Sequence, residues 1–272
     1  MVVCTLCMYE VQGPIPCISI SFASTLKRQE VLSGAVVGWR SATPLQSGLV
    51  RFRWCRGRAK PIRGDCPELC AGIEGEPYSV SVLKEGYCTA QPDGTFRADG
   101  TISLVRGPKT VLVDTGGPWD RELLLSKLKA RGLSPADVTV VVGTHGHSDH
   151  IGNLNLFPRA TLIVGCDISE GDRYLPNQLA EGQPYRLDDH VSVIPTPGHT
   201  GRDVSVQVKG TSVGTVLIAG DLFECCADED SWRELSENPE VQEVGRQKAL
   251  READVIIPGH GRLFRVLRTP LN

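Results

Sequence analysis

Six histidines occur in 272 residues, and three of them fall in the stretch HGHSDH at positions 145–150. Imidazole nitrogens and carboxylate oxygens packed this tightly are the donors that hold divalent metal ions. In the pattern H-x-H-x-D-H, His145 and His147 lie two apart and can turn to one ion, while Asp149 and His150 follow directly and can reach a second. Three further donors each close an apolar run: VIPTPGH at His199, VLIAGD at Asp221 and VIIPGH at His260. These seven potential ligands are too many for one tetrahedral ion. They suit two ions about 3.5–4 Å apart that share a bridging carboxylate. A donor set without cysteine suits zinc, with iron or manganese as alternatives. Such a pair brings the pKa of a shared water near neutral, so hydroxide is available at physiological pH. Asp149 is the candidate both to bind metal and to orient the nucleophile. Asp114 closes the run VLVD; it either orients the ligand loop through a hydrogen bond or caps a turn. His190 has no such context and reads as an exposed residue at the start of a strand.

A ligand is best held by a stiff element, and the donors sit where strands are expected to end. Apolar β-prone runs are VTVVVGT (138–144), TLIVG (161–165), VSVIPT (191–196), VSVQV (204–208), TVLIAG (215–220) and DVIIPG (254–259). Upstream, YSVSVLKEG, TISLV and TVLVDTGG are punctuated by PDG and ADG turns and read as an antiparallel meander. PWDRELLLSKLKARG predicts a helix with Leu124, Leu125 and Leu128 on one face, stopped at Gly132. A second helix is predicted from NPEVQEVGRQKALREA, whose Asn-Pro start suits an N-terminus, and SWRE (231–234) has capping-box spacing. If the strand ends share one sheet edge, their side chains converge on one pocket.

Composition sets the frame. At 40% hydrophobic and 22% charged residues, the chain is that of an ordinary globular protein. No run approaches 18 apolar residues, so no membrane helix is expected. The start, MVVCTLCMYEVQGPIPC, reads as no signal peptide, and its Cys4/Cys7 pair lacks the second pair a zinc knuckle needs. Reduced thiols, and hence cytosol or nucleus, are expected. Residues 1–75 carry nine Lys/Arg against five Asp/Glu and show no sustained period, predicting a poorly ordered extension. Its stretch RFRWCRGRAKPIR (51–63) reads as a solvated tail, with a nucleic-acid-binding arm as the alternative. Residues 76–272 form the expected α/β domain and carry 20 bases against 27 acids.

The ordered motifs VLVDTGG (111–117), THGHSDH (144–150), TPGHT (196–200), AGD (219–221) and PGHG (258–261) resemble those of the metallo-β-lactamase superfamily. The resemblance covers roughly 77–268. It implies an αββα four-layer sandwich of two mixed β-sheets with a dinuclear site at one edge. Carried onto this chain, it gives His145, His147 and His199 to one metal, Asp149, His150 and His260 to the other, and Asp221 to both. Asp221 stands where class B1 lactamases use cysteine, so the chain resembles the hydrolase branch with glyoxalase II and the tRNA 3′-end nucleases. The wording around AGDLFE and PGHGRLFRVLR is similar to a zinc endoribonuclease of this family. That likeness implies cleavage of histone pre-mRNA 3′ ends by a homodimer, in cytosol and nucleus. Against RNA stand the acidic balance of the domain and the segment 221–240, which has eight acids and only Arg233 as a base. The available basic patches are Lys127/Lys129/Arg131 and Arg262/Arg265/Arg268. A thioester or lactone hydrolase and a single-iron persulfide dioxygenase are the competing expectations.

Overall fold

The computed structural model describes residues 62–69 and 72–268. In chain order its elements are β1 (Ile62–Asp65), β2 (Ser79–Lys84), β3 (Tyr87–Ala90), β4 (Phe96–Asp99), β5 (Ile102–Arg106) and β6 (Thr110–Val113). Then come α1 (Arg121–Lys129), β7 (Val140–Gly143), α2 (Ser148–Ile151), β8 (Thr161–Val164), β9 (Asp167–Glu170), β10 (Arg173–Leu175) and β11 (Tyr185–Arg186). The rest are β12 (Val191–Pro195), β13 (Val204–Thr211), β14 (Gly214–Gly220), α3 (Pro239–Glu252), β15 (Val255–Pro258) and β16 (Phe264–Leu267).

Two mixed sheets face each other. One has the order β1-β16-β15-β14-β13-β12-β11, the other β10-β9-β8-β7-β6-β5-β2. Alternation along each strand builds both faces at once. Val111, Val113, Val140 and Val142 from one sheet meet Val206, Val216, Ile218, Val255 and Ile257 from the other in the central core. The residues between them point outward. Leu112 and Val141 pack under α1 against Leu124 and Leu128. Leu217 and Ile256 pack with Ala249 and Leu250 of α3. Helix, sheet, sheet, helix is the αββα sandwich expected. Because these strands are covered on both faces, they read in sequence as unbroken apolar runs rather than alternating ones.

Direction explains the shared edge. β6, β7 and β8 run parallel, as do β14 and β15. β12 is antiparallel to β13, which is antiparallel to β14, so β12 also runs with β14. The C-terminal ends of β12, β14 and β15 therefore lie at one end of their sheet, and those of β6 and β7 at one end of the other.

Several expectations need correction. The boundary at residue 76 falls inside the fold. β1 pairs with β16, Ile73 bridges to Val80, and Cys66 and Ile73 are buried in the central core. A four-residue edge strand with glycine and charges carries no periodic signal; pairing with β16 makes it a strand. Arg63, the last base of the suspected arm, is bound into this edge. Its guanidinium is 2.5 Å from Asp228 and lies over the Phe223 ring at 5.2 Å. Residues 51–61 of that arm, with Cys4 and Cys7, lie outside the described residues. The meander is interrupted: β2 pairs with β5 and β5 with β6, while β3 and β4 form a separate two-stranded ribbon. Ser231–Leu235 is a 3-10 turn after Asp230 with no side-chain cap, so the SWRE spacing does not act as a capping box. α3 begins as expected, with the Asn238 side chain accepting from Val241 N at 3.2 Å. Among the described residues no helix is long and apolar enough to cross a membrane.

Candidate metal centre

The expected strand ends do converge. His145 and His147 follow β7, and the one-turn helix α2 then changes the backbone direction. Asp149 and His150 leave that turn on a different heading from the two histidines before it, which is how four donors fit in six positions. His199 follows β12, Asp221 follows β14 and His260 follows β15. One donor atom from each of His145, His147, His199 and Asp221 lies within 4.8 Å of the others, and the same holds for Asp149, His150 and His260. In the first group His145 Nε2 is 2.8 Å from His147 Nδ1, which is 3.1 Å from His199 Nε2. Asp221 Oδ2 is 3.5 Å from His145 Nε2 and 3.3 Å from His199 Nε2. In the second group His150 Nε2 and His260 Nε2 are 3.4 Å apart, and each is 3.8 Å from Asp149 Oδ2. Asp221 faces this group too, with Oδ1 3.3 Å from His150 Nε2 and Oδ2 3.2 Å from His260 Nε2.

These separations fit a metal. Bonds of 2.0–2.1 Å in a tetrahedron place neighbouring ligand atoms roughly 3.3 Å apart. Ring nitrogens aimed at one another would oppose their lone pairs unless a proton or a cation lay between them. Asp221 Oδ1 is buried without a hydrogen bond, a deficit that a cation would fill.

The nitrogens facing away from the cluster are fastened. Thr144 Oγ1 donates to Asp114 Oδ2 at 3.0 Å and so has a lone pair for the His145 Nδ1–H at 3.1 Å. His150 Nδ1 is 2.8 Å from Asp114 Oδ2, and His260 Nδ1 is 3.2 Å from the Asp99 carbonyl. Each bond leaves Nε2 free to face the cluster. Asp114 thus sits behind His150 and Thr144, the orienting arrangement that was one of its two readings. It has φ 60°, a left-handed backbone that non-glycine residues seldom adopt. Gly259 makes room for Asp221: a Cβ there would fall 1.7 Å from Asp221 Oδ1. His190 is half-buried ahead of β12, takes no place in the cluster and is less exposed than expected.

Charge balance points the same way. Burial opposes a proton on His150, yet Asp221 and Asp114 outweigh it and hold its pKa well above the imidazole range. For His260, burial is likewise overcome by Asp221, and the pKa rises to about 9. Burial opposes ionisation of Asp221, but His150, His260 and His145 keep its pKa well below the carboxylate range. Burial lowers His145, whose pKa falls well below the usual value. The buried carboxylates draw positive charge into the pocket, as protons or as a cation.

The model of the metallo-β-lactamase superfamily matches residues 97–260. The chain belongs to the metallo-β-lactamase superfamily. Metallo-β-lactamase domain-containing protein 1 of Homo sapiens is 51% identical over 243 residues, covering 78% of this chain and 90% of the relative. The Xenopus laevis protein of the same name is 53% identical over 198 residues, covering 72% and 85%. A solved metallo-β-lactamase-like chain from Thermotoga maritima matches with a TM-score of 0.55 at 21% identity, across 70% of this chain and 100% of that one. This is a superfamily hydrolase with a His/Asp cluster suited to a divalent metal.

Sequence reasoning missed three contributors. Glu224 is buried beside the cluster and can join Asp221 and His260 in a third group of donors. Burial and then Asp221 push its pKa to about 8. Asp203 shapes the loop of His199, accepting from Thr200 N at 2.6 Å and Gly198 N at 3.2 Å. Asp99 supplies the carbonyl behind His260. None closes an apolar run, the signal that exposed the others. The spacing of Asp203 from His199 in PGHTGRD was the one available hint for a loop-closing carboxylate.

Proposed function

We propose that the cluster holds two zinc ions and that the protein is an endoribonuclease cleaving histone pre-mRNA 3′ ends. In this reading His145, His147 and His199 take one ion, Asp149, His150 and His260 the other, and Asp221 both. When bound, the pair supplies hydroxide at neutral pH and neutralises charge developing on the electrophile. The chain's own residues do the rest. Asp149 is half-buried, and its carboxylate would both hold metal and orient the attacking hydroxide. Asp114 keeps His150 turned inward. The homodimer and the cytosolic and nuclear location implied by the likeness belong to the same proposal.

The observation that carries the nuclease reading is an aromatic recess beside the cluster. Tyr87, Phe96, Arg97, Ala98, Asp99 and Trp119 line a hollow of about 470 Å³. Trp119 is 64% and Phe96 52% exposed, unusual for rings with no partner to cover them. The recess touches the site through Asp99, whose carboxylate accepts from Trp119 Nε1 at 3.1 Å while its carbonyl meets His260. Aromatic faces next to an arginine suit unpaired bases and the phosphates between them. The basic patch Arg262/Arg265/Arg268 supports RNA less than expected, because these residues pair with Glu85, Glu68 and Asp254. That pairing, with the acidic balance of the domain, favours a second reading as a thioester or lactone hydrolase.

A parallel panel of single-stranded RNA, thioester and lactone substrates separates the two. Zinc-loaded protein is expected to cleave RNA, and a Phe96→Ala/Trp119→Ala variant to lose about ten- to hundredfold in kcat/KM on it. Turnover of thioester or lactone with RNA left intact would contradict the nuclease.

A further inference from the structure

Three of the cluster's imidazoles are fastened from behind at Nδ1: His145 by Thr144, His150 by Asp114 and His260 by the Asp99 carbonyl. His147 is exposed and faces the cluster with Nδ1 itself. His199 is the exception. It turns Nε2 inward, and its Nδ1 is buried with no hydrogen-bond partner. Facing that nitrogen at 3.8 Å is Glu224 Oε1, which is also buried without a partner. Each unpaired atom has given up water without gaining a partner, which is unfavourable. A shift of roughly 1 Å would join them at ordinary hydrogen-bond length.

The backbone of Glu224 is already fixed. Its N–H donates to Asp228 Oδ2 at 2.7 Å, and its carbonyl accepts from His260 N at 2.9 Å. Asp228 is in turn clamped by Arg246 at 2.7 Å and by Arg63. The side chain is thus delivered to the cluster with one oxygen unspent. We propose that Glu224 is the positioning residue for His199: its carboxylate accepts the Nδ1–H and so presents Nε2 to the metal. This gives His199 the arrangement that His145, His150 and His260 already have, and it rests on reading His199 as a ligand. The competing role is direct ligation, since Glu224 Oε2 lies 3.9 Å from His260 Nε2 beside Asp221.

The test compares wild type, Glu224→Gln and Glu224→Ala by zinc competition with a chromophoric chelator and by NMR of the zinc-loaded proteins labelled with nitrogen-15 at histidine. The amide of Glu224→Gln keeps an acceptor oxygen, so zinc affinity should stay within about threefold of wild type. Glu224→Ala should lose about 10- to 100-fold. The His199 Nδ1–H resonance should be shifted downfield in wild type, less so in Glu224→Gln, and lost to exchange in Glu224→Ala. Unchanged affinity and resonance in Glu224→Ala would overturn the proposal. So would a Glu224→Gln variant that loses as much zinc as Glu224→Ala, because the carboxylate would then be a ligand. If Glu224→Ala does not fold, an identical His199 signal in wild type and Glu224→Gln overturns it, and a moved signal supports it. Wild type that binds no zinc would instead remove the metal centre on which the proposal stands.

Discussion

Asp114 has two oxygens and three donors aimed at them: Thr144 N at 2.7 Å, Thr144 Oγ1 at 3.0 Å and His150 Nδ1 at 2.8 Å. An asparagine there tolerates the left-handed backbone but offers one acceptor oxygen and an NH₂ group that meets a donor. Asp114→Asn is therefore expected to weaken zinc binding about 10- to 100-fold with the fold intact, measured by chelator competition and circular dichroism. Protons compete for the same nitrogens. With no metal bound, Asp221 overcomes burial and raises His260 to about 9, and Asp221 and Asp114 likewise raise His150 well above the ordinary imidazole value. Each proton must leave before its nitrogen can bind a cation, so apparent zinc affinity should rise with pH from 6 towards about 9. Titrations at several pH values check this; affinity that falls as pH rises would contradict it. The seven donors were legible in the sequence because each strand-end residue stood out against an apolar run. Asp203 was not, since a carboxylate in a polar loop looks the same whether buried or solvated, and Glu224 was not, since it follows only the short Leu222-Phe223 pair after Asp221.

The elements show why some strands could be read and others not. β7 and β15 lie in mid-sheet and are buried along their whole length, so VVVG and VIIP are unmistakable. β1, β9, β10 and β11 lie at or next to sheet edges, carry charges, and have at most four residues each. Their strand state comes from pairing with a neighbour, which local composition does not record. α1 was legible through its leucines, and none of its residues belongs to the donor groups. Leu124 is fully buried between α1 and its sheet. Leu124→Ala should cost about 2–5 kcal/mol in denaturant unfolding while leaving bound metal per chain unchanged. Metal lost in proportion to the stability would show that α1 acts on the site itself.

For the molecule as a whole, the central fact is that two sheets bring donors from four chain segments to one edge. The four-layer sandwich was legible from the order of the motifs. The start of the fold was not, because the chain joins it through the edge strand β1 rather than at the predicted boundary. Asp228 illustrates what only the assembled molecule reveals. It belongs to the acidic segment 221–240 that counts against RNA, yet it is buried between two arginines, with Arg246 stacked over Phe223 at 4.2 Å and Trp232 at 4.5 Å. The most direct measurement is metal content per chain, by elemental analysis of purified wild type and His147→Ala after dialysis against zinc. Two zinc ions in wild type, and a reduced content with loss of turnover in His147→Ala, are the expected result. A wild type that retains none or one, or a His147→Ala variant with two ions and full activity, would contradict the dinuclear site.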